Sequence, residues 1–351
     1  MENQTPKRKI LILSDDKPGH FNQSMGIVDR MNDVHIKTIQ IKFKSKTRDN
    51  LLRVMVWLIN KLPEHTIKST LRWALDESSF HDVLNINTFD VVLSTGSSVA
   101  APNLLISKLT GAKSVVCTRP SPVGIRPFNL AILPEHSRSR HMTKNIVMTI
   151  GVPNRVTPDK IKSAGDKFGE IENKVIGLLL GGDDPYYYIS PEFASSLCEI
   201  LSSICQLNDY RLVLTTSRRT NLQSEKTVAL NIKDSPICLL CILASEPRDE
   251  NPVPGMLGIS DVVVVTEDSF SMVCEAASSG KKVIILEVDR KRKAHTRRQR
   301  VYDLLVKEGY ARYADLSSLE SVIMETINDN TQPKVLDDAR TAADALRKII
   351  D

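Results

Sequence analysis

The sequence predicts an α/β protein made of two domains with parallel sheets. Three observations lead there. Short β-branched apolar runs recur along the chain without polar alternation, as strands covered on both faces do. Helical patterns separate them, giving a βαβα rhythm. The rhythm then restarts near Val175, after the polar stretch "PDKIKSAGDKFGEIENK".

The first series of strands is expected at Lys9 to Leu13, Val34 to Ile41, Val91 to Ser94, Ser114 to Cys117, Leu130 to Leu133 and Ile146 to Ile150. The second is Val175 to Leu180, Arg211 to Thr215, Ile237 to Leu243, Val262 to Thr266 and Val283 to Leu286. Helices are expected at Asn22 to Met31, Ala100 to Thr110, Glu192 to Ser202, Ser271 to Ser279 and Thr296 to Glu308. The charged stretch places a boundary near 153–173, giving domains 1–155 and 156–332. Residues 333–351 form a C-terminal helix expected to pack back on the first domain. Two such domains leave a cleft, a usual place for a ligand.

Composition bounds the class. The 351 residues are 41% hydrophobic and 25% charged, a soluble globular balance, and the net charge of +5 is too mild to imply nucleic acid by itself. Six cysteines are best explained as reduced thiols of a cytosolic protein, five of them in apolar surroundings. Cys238-Leu-Leu-Cys241 has CxxC spacing, but it lies inside "ICLLCIL" with no second pair nearby, so a core strand outranks a metal site. "MENQTPKRKI" shows no secretory signal, and no apolar run is long enough to span a membrane.

In open parallel sheets, ligands bind beyond the carboxyl ends of the strands. "SDDKPGHFNQS" follows the first strand. Gly19 would permit a tight backbone, and His20, Asp15 and Asp16 are candidate general bases; alternatively the loop is plain, with Asn22 capping the helix and Asp15 in an Asx-turn. "STGSSVAAPN" offers Gly96, Ser97 and Ser98 at a helix start, as a ligand site or as a serine cap. "GVPNR" carries Arg155, a candidate partner for a diphosphate or a solvated linker residue. "GGDDPYY" offers Gly181 and Gly182 for close backbone approach, beside Asp183. "TTSRRT" brings Ser217, Arg218 and Arg219, of which one arginine would face phosphate. The sharpest stretch is "VVVVTEDSFSMVCEAASSGKKVIIL". A buried strand ends at Thr266, and Asp268, Ser269, Ser271 and Met272 lead into a helix whose free amides suit phosphate oxygens. Glu275 lies one turn on from Ser271 and could accept both hydroxyls of a ribose.

Taken together, "SDDKPGHFNQ", "ILPEH", "TIGVPNRVTP", "GGDDPYY", "TTSRRT" and "VVTEDSFSMVCEAASSGK" resemble the family named after a mitochondrial fission factor. The resemblance covers nearly the whole chain, and TEDSxSMxxEAAxxGK is its most specific motif. That family is described as glycosyltransferases, and it resembles GT-B enzymes, in which two Rossmann-like domains face each other across a cleft. Compared with the N-acetylglucosaminyltransferase of the peptidoglycan precursor, Gly19-His20 looks like its first loop. Arg155 looks like its diphosphate arginine, Gly181-Gly182-Asp183 like its Gly-Gly-Ser loop, and Glu275 like its ribose glutamate. Two departures stand out: the first loop has one glycine instead of several, and Asp183 replaces a serine. No Asp-x-Asp motif stands in an obvious place, which fits GT-B enzymes that need no metal or cofactor.

The resemblance implies a glycosyltransferase moving a sugar from a nucleotide-diphosphate sugar to a cell-envelope or lipid-linked acceptor, with inversion. Thr266, Asp268, Ser269, Ser271, Met272 and Glu275 would hold the donor, with Gly181, Gly182, Asp183, Ser217, Arg218 and Arg155 around it. The alternative is a non-catalytic adaptor at a membrane. Ile41 to Leu75 carries eight Lys/Arg against Asp49 and Glu64, with Leu51, Met55, Leu58, Ile59 and Leu62 at helical spacing and Trp57 and Trp73 nearby. It reads equally as a segment for an anionic membrane surface or as a core-facing helix with a basic outer side. The basic run Asp289 to Arg300 could guide a phosphorylated substrate; without interleaved aromatics, nucleic acid ranks low. The expected location is cytoplasmic, peripheral on the inner face of the cytoplasmic membrane.

Overall fold

The computed structural model describes residues 8–138, 142–247, 251–291 and 297–350. The chain forms two compact units, Met1–Arg155 joined by Asp337–Asp351, and Val156–Leu336.

The first unit runs β1 (Arg8–Ser14), α1 (Pro18–Val28), β2 (Val34–Gln40), α2 (Lys46–Ile59), α3 (Glu64–Ala74), α4 (Glu77–Leu84), β3 (Val91–Thr95), α5 (Ala100–Thr110), β4 (Lys113–Cys117), β5 (Leu130–Pro134) and β6 (Ile146–Thr149). Its strands form one parallel sheet in the order β2-β1-β3-β4-β5-β6. The chain passes from β1 outward to β2, then returns to the other side of β1, so the topological switch lies between β1 and β3.

The second unit runs α6 (Pro158–Gly165), β7 (Val175–Leu179), α7 (Pro191–Asn208), β8 (Arg211–Thr215), α8 (Leu222–Val228), β9 (Cys238–Ile242), α9 (Val253–Ile259), β10 (Val262–Thr266), α10 (Phe270–Ser278), β11 (Lys282–Leu286), α11 (Gln299–Lys307), β12 (Arg312–Ala314) and α12 (Leu319–Asn328). This sheet is also parallel, in the order β12-β11-β10-β7-β8-β9, with its switch between β7 and β10. The last helix, α13 (Asp338–Ile350), belongs to the first unit and packs on α1 and on strands β4 to β6.

The strands are central because their sequences can bury both faces: β3 (VVLST) and β10 (VVVVT) are buried at every position. The helices start on local chemistry. Ser45, Asp76, Thr157, Ser190 and Asn221 each accept a first-turn amide, and Pro158 and Pro191 occupy the first helical position. Buried Asn103 fastens α5 to the sheet by donating to the carbonyls of Val92 and Val115 and to the Ser94 hydroxyl. Asp338 caps the exit of β6, accepting the Ile150 and Gly151 amides at 2.9 and 2.6 Å.

Several local expectations change. The first helix begins at Pro18, not Asn22, with Lys17 at the cap position, so Asn22 is no cap. The charged stretch before β7 fits a linker plus a surface helix, and that helix is α6. The CxxC pair lies on β9, and among the described residues no group of three or more His, Cys, Asp or Glu is placed to hold a metal ion. Burial pushes the thiols of Cys198, Cys205 and Cys241 up to about 12, which leaves them protonated and inert. Among the described residues, no helix is long and apolar enough to cross a membrane.

Candidate active site

In the first unit the chemistry collects at the switch between β1 and β3. Asp15 follows β1, and α1 then carries His20 in its first turn. The His20 Nδ1 lies 3.0 Å from both Asp15 oxygens, so it holds the proton and donates to the carboxylate. The other ring nitrogen, Nε2, makes no hydrogen bond among the described residues. Asp15 also accepts from the Ser98 hydroxyl at 2.7 Å, and Lys17 Nζ lies 3.1 Å away. Burial raises the Asp15 carboxyl, but the bonds from His20, Ser98 and Lys17 outweigh it and hold the group well below the usual carboxylate range. Asp15 is therefore ionised and spent on orienting the ring, not an Asx-turn. Asp16 sits beside it in the left-handed region (φ 64°), exposed, its amide 3.3 Å from the Ser14 hydroxyl.

The glycine this site needs is Gly96, not Gly19. Gly19 lies inside α1 with open space where a Cβ would stand. Gly96 has φ +94°, and a Cβ there would come within 2.4 Å of the His20 Cε1. The imidazole thus rests on a bare backbone. Ser97 and Ser98 do not cap α5, whose cap position is Val99. Ser98 reaches Asp15, and the Ser97 hydroxyl accepts the Ser121 amide at 3.0 Å. Arg155, at the end of this unit, pairs with Asp29 at 2.9 Å.

In the second unit the predicted residues gather at the switch between β7 and β10, but they divide into two sets. Thr266 and Asp268 are fully buried. The Thr266 hydroxyl accepts the Gly181 amide, and Asp268 accepts the Gly182 amide and an Arg219 N–H at 3.0 Å. Their expected role as ligand contacts is corrected: both hold the strand-end loops in place. Gly181 and Gly182 serve the same packing. A Cβ on Gly181 would meet the Asp268 carboxylate, and one on Gly182 the Arg219–Thr220 backbone. Asp183 accepts the Ile189 amide, and the Ser217 hydroxyl accepts the Arg219 amide, so both shape their own loops.

The second set keeps hydrogen-bonding groups without partners. Ser269, almost wholly buried, holds the cap position of α10 but gives its hydroxyl to no first-turn amide. The amides of Ser271 and Met272 have no hydrogen-bond partner among the described residues, as expected of a helix start. Ser271 is exposed and Met272 half-buried. Glu275, one turn on, is half-buried with no hydrogen bond or ion pair among the described residues, and burial pushes its carboxyl up to about 7. Arg218 is exposed and unpaired among the described residues, while Arg219 is tied to Asp268 and to the carbonyls of Gly182 and Asp183. The arginine free to meet an anion is Arg218.

Three residues in the basic run are already committed, Lys291 donating to the Asp184 carbonyl at 2.8 Å. Arg290 pairs with buried Glu267 at 3.0 Å, and Arg298 with Asp184 at 2.8 Å and with the Asp268 carbonyl at 2.9 Å. Positions 292–296 lie outside the described residues, including the expected helix start at Thr296. Buried Tyr302 adds a bond to the Glu267 carbonyl, so β10 ends in a brace of Glu267, Arg290, Tyr302 and Tyr313. Sequence reasoning missed this brace, whose members lie up to 46 residues apart.

Solved structures share this architecture over nearly the whole chain. UDP-GlcNAc 2-epimerase from Methanocaldococcus jannaschii matches with a TM-score of 0.59 at 14% identity, covering 97% of this chain and 99% of that one. The Neisseria meningitidis UDP-GlcNAc 2-epimerase bound to UDP-GlcNAc gives 0.56 at 14% identity, covering 97% and 98%. The glycotransferase of kitacinnamycin gives 0.53 at 13% identity, covering 98% and 96%. The fold is thus the GT-B glycosyltransferase-like one. No curated protein sequence matches the chain. The family model for mitochondrial fission ELM1 matches residues 18–350, and the chain belongs to that family.

Proposed function

We propose that the protein is a glycosyltransferase, working without a metal or cofactor, that moves a sugar from a nucleotide-diphosphate sugar to a hydroxyl of a cell-envelope or lipid-linked acceptor. The observation that carries this reading is the Asp15–His20 pair: an ionised carboxylate fixes one ring nitrogen and leaves Nε2 free at a switch point. Nε2 takes the proton from the acceptor hydroxyl. The acceptor oxygen bonds to the anomeric carbon, and the bond from that carbon to the diphosphate oxygen breaks, the electron pair leaving with the nucleotide. Direct displacement inverts the anomeric centre. The amides of Ser271 and Met272, the Ser269 hydroxyl and Arg218 neutralise the leaving diphosphate, and Glu275 accepts the ribose hydroxyls. The GT-B fold and a structural relative bound to UDP-GlcNAc support a nucleotide sugar as donor. The acceptor is bound by the first unit, with the protein peripheral on the cytoplasmic face of the membrane.

A thermal-shift screen over nucleotide sugars tests the donor, since a bound ligand raises stability by mass action. The donor should still shift His20→Ala, and that variant should lose transfer while a chelator leaves wild-type turnover unchanged. If no nucleotide sugar shifts the melting temperature, the enzyme reading gives way to a non-catalytic adaptor.

A further inference from the structure

Ile41 to Leu75 resolves into α2 and α3, and it has two apolar faces instead of one. Leu52, Val56, Ile59, Ile67 and Leu71 are buried in the core of the first unit. A second stripe of α2, Leu51, Val54, Met55, Leu58 and Leu62 just beyond it, recurs at helical spacing and points outward, with Leu58 69% exposed. An amphipathic surface helix has no folding reason for this stripe, and apolar area of this extent marks a contact surface. Leu51, Met55 and Leu62 of the stripe line a groove of about 410 Å³ between α2 and α3, with Trp73 on its other side.

The rim is cationic. Residues 41–75 hold eight Lys/Arg and two acids, a net of +6. Arg48 lies over the Trp73 ring, 5.4 Å from its centroid. Lys46, Lys61 and Arg72 have no acidic partner among the described residues. Beside the stripe, Trp57 donates its indole N–H to the Val123 carbonyl at 2.9 Å and forms one wall of a cavity of about 330 Å³. Arg119 and Arg126 line the same cavity, both exposed and without an acidic partner among the described residues. Apolar stripe, tryptophans and unpaired arginines therefore form one continuous surface.

We propose that this surface docks on an anionic phospholipid bilayer, the α2 stripe entering the acyl boundary while Arg119 and Arg126 meet lipid phosphates. Charge selects this occupant. A second copy would bring two strongly positive faces together, which like-charge repulsion opposes. An anionic leaflet instead attracts the rim, while tryptophan rings settle at the headgroup level. Arg119 follows β4, at the carboxyl edge of the sheet that also carries His20, so docking would hold a lipid-borne hydroxyl near that edge. The inference deepens the membrane part of the reading above. It is measured without donor or turnover, so its failure would remove the membrane part of that reading and leave the sugar transfer standing.

The test uses the intact chain, whose only two tryptophans are Trp57 and Trp73, so intrinsic fluorescence reports on this face alone. Vesicles of phosphatidylcholine with about a third phosphatidylglycerol should carry the protein in flotation and shift its emission to the blue, and salt at about 0.5 M should reverse both. Leu58→Glu should abolish flotation. The double change Arg119→Glu and Arg126→Glu should weaken it at least about twentyfold, from about fivefold per basic residue removed. Circular dichroism should show both variants folded, because the altered side chains are exposed. Equal binding to pure phosphatidylcholine, absence of any shift with anionic vesicles, or full binding by the arginine variant would each overturn the proposal. A lipid-free blue shift that grows with protein concentration would overturn it in favour of a second copy.

Discussion

Glu275 makes the donor assignment measurable through pH. Its carboxyl is half-buried, lacks a partner among the described residues, and is pushed up to about 7 by burial. Only the ionised form can accept two ribose hydroxyls, so the apparent affinity for a nucleotide follows the ionised fraction. That fraction is about nine-tenths at pH 8 and about one-tenth at pH 6, so the dissociation constant should rise about tenfold between them. Binding at pH 6 should release close to one proton, visible as a calorimetric enthalpy that varies with the buffer's ionisation heat. The same group leaves a mark on stability. Its folded value lies above the ordinary 4.5, so the proton favours the folded state. This contribution is complete below about 4.5 and is lost as pH rises through about 7. Glu275→Gln should therefore leave stability unchanged at pH 4.5 and raise it by about 1–3 kcal/mol at pH 8, while nucleotide binding becomes weak and independent of pH. A wild-type affinity that stays flat from pH 6 to 8, or a slope that survives in the Gln variant, would refute the assignment.

Three further outcomes follow from the packing. Gly96→Ala should cost about 1–2 kcal/mol from the left-handed backbone, and the new methyl should displace His20 and cut transfer by about a hundredfold or more while nucleotide binding holds; unchanged kcat would show that His20 is not seated as described. Arg218→Ala should weaken nucleotide binding without moving the melting temperature, whereas Arg219→Ala should lower the melting temperature, because it strips the buried Asp268 of its cation; the reverse pattern would exchange their roles. Asp338→Ala leaves the Ile150 and Gly151 amides without their acceptor and should cost about 1–3 kcal/mol, read by urea denaturation; a change below about 0.5 kcal/mol would mean that α13 is held by its apolar face alone.

The sheets were legible because runs such as Val262 to Val265 have one physical use, burial on both faces. The loops worth inspecting were legible too, since parallel strands send their carboxyl ends to one edge. Which residue does what within a loop was not. The Asp15–Ser98 bond depends on β1 and β3 being neighbours, a pairing across 83 residues that no local pattern records. Gly19 drew attention because it precedes His20, yet only the backbone of Gly96 shows which glycine the ring requires. Thr266 and Asp268 share a motif with Ser269 and Glu275, but the side chains of the first pair hold the strand-end loops, while those of the second pair have no partner among the described residues. The start of α1 was missed for a simpler reason: Pro18 is a first-turn signal that Asn22 overshadowed.

The return of the chain through α13 has a consequence for synthesis. Residues 156–336 are an insertion between two pieces of one unit, so the ribosome delivers the N-terminal sheet first but its last layer only at the end. The second unit has every strand it needs before α13 emerges. The hydrophobic side of β4 to β6 that α13 covers must wait, exposed, through the translation of roughly 180 residues, about 10–40 s at the usual elongation rates. The half of the molecule made first is thus the half finished last, and during that interval it is a natural client for a chaperone that shields apolar sheet.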